Sequence, residues 1–161
     1  MQTANRRFWR GCGLGCVATL AMIVAMLMMW RLWPSAVPEP LPYAITVGII
    51  ARVFGAQPLT PGVIILATLV QLVYGAVWAG LLEASTRRAS VTKGIALGLG
   101  LWLIMMIFYL PMAAGEAFTL ASTPGIWVAT LIGHLIYGYA IGALLARDQR
   151  KLPPLEPAEV I

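Results

Sequence analysis

His134, the only histidine of the chain, stands in the apolar stretch HLIYGYAIGALL, and a near copy, QLVYGAVWAGLL, begins 63 residues earlier with Gln71 in the equivalent place. An imidazole can exchange hydrogen bonds, relay a proton or ligate a haem iron. A carboxamide exchanges hydrogen bonds but does not relay a proton. Tyr137 and Tyr74 follow the two polar residues by three positions, near enough on a helix to share a hydrogen bond on the same side. At 3.6 residues per turn Gln71, Gly75 and Ala79 share one face, and so do His134, Gly138 and Gly142.

Other residue types with reactive potential are few. Cys12 and Cys16 lie four apart in GCGLGC, with neither a CxxC pair nor a second pair of cysteines, which is the pattern of a small-residue packing surface. Glu83 and Glu116 fall at the ends of apolar segments, so no carboxylate lies at the depth of His134 to complete a proton relay. For a haem one copy of the chain offers a single axial imidazole; two copies could pair their His134 residues, but nothing in the sequence demands it. No phosphate-cradling loop, HExxH or nucleophile elbow occurs. The expectation is therefore a protein that is not an enzyme, with no catalytic residues, no metal ligands and no cofactor.

The elements that must carry these residues follow from composition. Of the 161 residues 60% are hydrophobic and only 11% charged, and the mean hydropathy is +0.85. Too few charges are present to cover a water-facing surface, whereas helices in a bilayer need apolar residues all round. Four segments reach the length of about 20 residues that crosses the hydrocarbon: 11–30, 62–82, 94–114 and 125–146. The first is too long for a signal core and lacks an A-x-A site, so it is expected to be a retained anchor. A fifth stretch, about 43–54, is too short to span and is bracketed by Pro42 and Pro58, which predicts an interfacial or re-entrant helix.

A net charge of +5 does not point to nucleic acid, because the basic residues form short clusters between the apolar segments. Nine of the eleven lie before span one, between spans two and three, or after span four, and only Arg31 and Arg52 lie on the opposite side. Both termini are thus expected in the cytoplasm. Residues 1–10 read as a cytoplasmic N-terminus, and the proline-rich 147–161 as a disordered cytoplasmic tail.

The 63-residue echo extends from Pro61-Gly62 and Pro124-Gly125 through Leu72, Tyr74, Gly75, Leu81 and Leu82, matched by Leu135, Tyr137, Gly138, Leu144 and Leu145. Arg10-Gly11 and Gly15 recur more weakly as Lys93-Gly94 and Gly98, at an offset of 83. The expected fold is all-α: a polytopic four-helix bundle made of two tandem two-helix repeats, with Gly75, Ala79, Gly138, Gly142, Gly94 and Gly98 at the helix contacts. Gln71 and His134 are then duplicated helix-packing groups, their bonds contributing about 0.6 kcal/mol each. The competing reading is a small transporter or channel with its pathway near His134 and Gln71. Partners are the lipid bilayer and either another membrane protein or further copies of the chain.

GLGCVATLAM, QLVYGAVWAGLL, YLPMAAGEAF and GHLIYGYAIGALL together resemble a group of uncharacterised bacterial integral membrane proteins with four helices, classed as domains of unknown function. The resemblance covers residues 11–146. It implies the bacterial inner membrane and no particular activity. In that group the span-two position often looks like histidine, and here it is Gln71.

Overall fold

The computed structural model describes residues 2–34, 47–48, 50–51, 53–55, 60–86, 88–109 and 124–150. Within them the chain is all-helical, with four helices long and apolar enough to cross a membrane. We number them α1 (Gln2–Leu32), α2 (Pro61–Ser85), α3 (Val91–Ile104, continued by a π-helical turn, Met105–Tyr109) and α4 (Pro124–Gln149).

The helix starts have local causes. Proline at the first position of α2 fills a site where no backbone N–H is needed, and the Thr60 hydroxyl accepts from the Val63 N–H at 3.3 Å. Ser90 caps α3 in the same way through the Lys93 N–H, also at 3.3 Å. α2 ends where Thr86 turns its hydroxyl back onto the Leu82 carbonyl at 2.7 Å.

All four helices run past the expected span boundaries at one end or both, α2 to Ser85 and α3 from Val91 among them. α1 begins at Gln2 instead of near Gly11, so most of the expected N-terminal segment adds helical turns that carry Arg7 and Arg10 on one face. α4 continues to Gln149, past the expected end at 146. Residues 151–161 and 110–123 lie outside the described residues. So does about half of 43–54, where Val47, Gly48, Ile50, Ala51, Val53 and Phe54 are helical.

Three seams hold the bundle: α1 along α2, α3 along α4, and α1 along α4. α2 and α3 share no comparable seam among the described residues. α1 and α4 are accordingly the more buried helices, and the core runs between them through Ala18, Met22, Met26, Ala129, Tyr137, Ile141 and Leu145. The outward faces are apolar too, as Leu69, Val73, Leu103 and Ile107 illustrate.

Glycine sets the closeness of the two hairpin seams. A Cβ on Gly15 would lie 2.6 Å from the Ala79 Cβ and 2.9 Å from the Ala76 Cα, and one on Gly11 would lie 2.8 Å from the Ala79 carbonyl oxygen. On the other hairpin a Cβ on Gly94 would lie 2.7 Å from the Gly142 Cα, and one on Gly98 would lie 3.2 Å from the Gly138 Cα. Backbone meets backbone at both, which is how small residues bring helices together where lipid offers no hydrophobic drive. Gly13, by contrast, faces open space.

Candidate functional site

Among the described residues two groups of polar side chains lie within the bundle, at different levels. The first is near its middle. Gln71, Tyr74, His134 and Tyr137 line one cavity of about 10 Å³, together with Thr19, Met22, Gly75 and Leu101. All four candidate residues of the sequence thus meet, drawn from α2 and α4, with α1 and α3 closing the walls. The volume is about that of one water-sized sphere.

The hydrogen bonds here differ from the expected pairing. His134 is buried, and its Nδ1 lies 2.8 Å from the Thr130 carbonyl oxygen in its own helix. A carbonyl only accepts, so Nδ1 carries the proton and Nε2 is left as an acceptor. The bond between helices comes from Tyr137, whose hydroxyl donates to the Gly75 carbonyl at 2.6 Å. The Tyr74 hydroxyl is buried without a partner among the described residues, its ring lying edge-on to Tyr109 and Trp78. Tyr137 can reach Gly75 because that residue has no side chain: a Cβ there would meet the Tyr137 ring at 3.3 Å and collide with the Thr19 hydroxyl. The stretches that begin at Gln71 and His134 therefore touch each other, Tyr137 of one on Gly75 of the other.

Across the α3–α4 seam Trp102 donates from Nε1 to the Thr130 hydroxyl at 3.2 Å. The Thr130 hydroxyl in turn donates to the Ile126 carbonyl at 2.8 Å. Nearer the start of α1, Cys12 and Cys16 are free thiols, and Cys12 lies against Gly80, where a Cβ would be 2.7 Å from its sulfur.

The second group sits at the arginine-rich end and was not singled out from the sequence. Glu83, in the last turn of α2, has no exposed surface. Arg10 donates to its Oε1, Arg7 Nε lies 3.6 Å from the same oxygen, and Gln149 donates to Oε2 at 2.8 Å. Arg10 also places Nε 3.1 Å from Asp148 Oδ2. Arg7 reaches past Glu83 to donate to the Thr86 carbonyl, and the Gln149 side-chain oxygen accepts from the Ala89 N–H at 2.8 Å. One carboxylate thereby joins α1, α2 and α4, and its partners Arg7 and Gln149 extend the network to the turn before α3.

A buried carboxylate is strongly disfavoured unless its charge is met and its oxygens are hydrogen-bonded. Both conditions hold at Glu83. The available sequence signal was the spacing of Arg7 and Arg10, i and i+3, opposite an acidic residue inside an apolar run. That spacing also fits a topology signal, and the partners of Glu83 are 73 and 66 residues away along the chain. Among the described residues no three His, Cys, Asp or Glu side chains are placed to hold a metal ion.

No curated protein and no solved structure matches the chain. A protein-family model described as a family of unknown function, DUF6789, matches residues 5–152, a span that takes in all four helices, the central cavity and the Glu83 network. The chain belongs to that family of unknown function.

Proposed function

We propose that this chain is a non-enzymatic, multi-pass protein of the bacterial inner membrane that serves as an accessory or assembly component. Both termini lie in the cytoplasm, and a short interfacial helix occupies the external loop. The observation that carries the reading is how the polar groups inside the bundle are used. Tyr137 is spent on Gly75, His134 on Thr130, and Glu83 on Arg7, Arg10 and Gln149. Tyr137 and Glu83 are thereby committed to contacts between the chain's own helices, and His134 Nδ1 to its own helix.

Two tandem repeats are part of the proposal, and parallel burial supports them. At the offset of 63, Ala67, Gly75 and Ala79 are buried, and so are Thr130, Gly138 and Gly142. At the offset of 83, Gly11, Gly15, Ala18 and Met22 are buried, and so are Gly94, Gly98, Leu101 and Met105. The clustering of arginine and lysine supports the orientation.

Gentle detergent extraction at native expression level, followed by a native gel and mass identification, tests the role. A stoichiometric membrane partner is the expected result. Migration of the chain alone, with His134-dependent ion flux in proteoliposomes, would overturn it. One observation favours a transporter or channel as the second reading: Gln71 and His134 line the same cavity. A water-sized cavity is no passage, so that reading requires further copies of the chain, and it fails if His134→Leu and Gln71→Leu leave flux unchanged.

A further inference from the structure

On the outer side of the α3–α4 seam an open groove of about 380 Å³ is lined by Ile95, Ile132, Leu135, Ile136, Tyr139 and Ala140. The five α4 residues form a single stripe, spaced i, i+3, i+4, i+7 and i+8, opposite the face that carries Tyr137, Ile141 and Leu145 into the core. Ile132 is 38% exposed and Tyr139 59% exposed, so the groove opens outward. Toward the end of α4 the same stripe runs on to Arg147, seven residues after Ala140, and to Arg150, eleven after Tyr139.

Both arginines are exposed, and neither has a carboxylate partner among the described residues. This separates them from Arg7 and Arg10, whose charges are met by Glu83 and Asp148. At about 1.5 Å per residue, Ala140 lies about 10 Å and Ile132 about 22 Å below Arg147. With Arg147 at headgroup level, that is the depth range of an acyl chain in one leaflet of a bilayer whose hydrocarbon is about 30 Å thick.

We propose that the groove holds an acyl chain of an anionic phospholipid whose headgroup phosphate pairs with Arg147 and Arg150. The apolar stripe supplies the contact for the tail, and the two guanidinium groups, without a carboxylate partner among the described residues, supply the preference for negative charge. The inference rests on the membrane-spanning reading and on nothing about an accessory role, so it can fail while that role stands.

The test is native mass spectrometry of the full chain, extracted from vesicles of equal phosphatidylglycerol and phosphatidylcholine. Wild type is expected to retain phosphatidylglycerol over phosphatidylcholine by about tenfold. The double variant R147Q/R150Q should bring the two lipids to parity. Ala140→Trp fills the groove with the charges intact and should reduce retention of both. Parity in the wild type, an undiminished preference in R147Q/R150Q, or full retention in Ala140→Trp would overturn the proposal. So would efficient crosslinking of Ala140→Cys to a second copy, which would assign the groove to another occupant.

Discussion

The central cavity and the Glu83 network both bury polar atoms among apolar helices, and they do so by different means. At the cavity the groups are neutral, each bond ends on a backbone carbonyl, and the Tyr74 hydroxyl has no partner among the described residues. At Glu83 the groups are ionised, side chains bond side chains, and both carboxylate oxygens are engaged. Helix carbonyls already accept a bond from within their own helix, so the extra bonds at the cavity refine a contact that glycine makes feasible. The carboxylate has no such alternative and must be held by its partners or lose its burial. The strongest polar tie in the bundle should therefore lie at its arginine-rich end and not at the lone histidine.

The contrast breaks most severely at Glu83. Glu83→Ala leaves Arg7 without a carboxylate partner and Arg10 with Asp148 alone, and is expected to cost about 3 kcal/mol, the low end for a broken buried pair because both arginines are partly exposed and Arg10 keeps one anion. Equilibrium unfolding in detergent measures it. Gly15→Leu comes next: no rotamer escapes the Ala76 backbone, and a loss of about 2 kcal/mol is expected in the same assay. Gly13→Leu sharpens the comparison, since that position meets nothing within 4 Å and should stay within about 0.5 kcal/mol of wild type.

Tyr137→Phe removes the bond to Gly75 without leaving an orphaned hydroxyl. A loss of about 0.6 kcal/mol is expected, with faster hydrogen exchange in α2 near Gly75 as a second readout. The smallest effect belongs to His134→Leu. The Thr130 carbonyl keeps its helical bond, so unfolding should shift by about 0.5 kcal/mol or less.

Much of the architecture was legible because membrane helices announce themselves through length and composition. The starts at Pro61 and Pro124 could be read from proline's place in the first turn, and the faces carrying Gly75, Ala79, Gly138 and Gly142 from the helical period. Partner choice was not legible. Nothing local says that His134 bonds its own helix while Tyr137 crosses to Gly75, 62 residues away. That α1 and α4 form the centre depends on how two hairpins dock, which periodicity within one helix does not encode. Arg7 and Arg10 read naturally as topology signals, and only the fold brings Glu83 to them and gives them a second role.

A double-mutant cycle on Arg10 and Glu83, followed by equilibrium unfolding in one detergent, tests the central claim most directly. R10A/E83A is expected to cost less than the sum of the two single variants by about 1–3 kcal/mol, because each single change takes from the other charge its most direct partner and leaves it only the weaker ones, Arg7 for Glu83 and Asp148 for Arg10. Additive losses would contradict it, since they would mean that the carboxylate and the guanidinium do not hold each other in the folded chain.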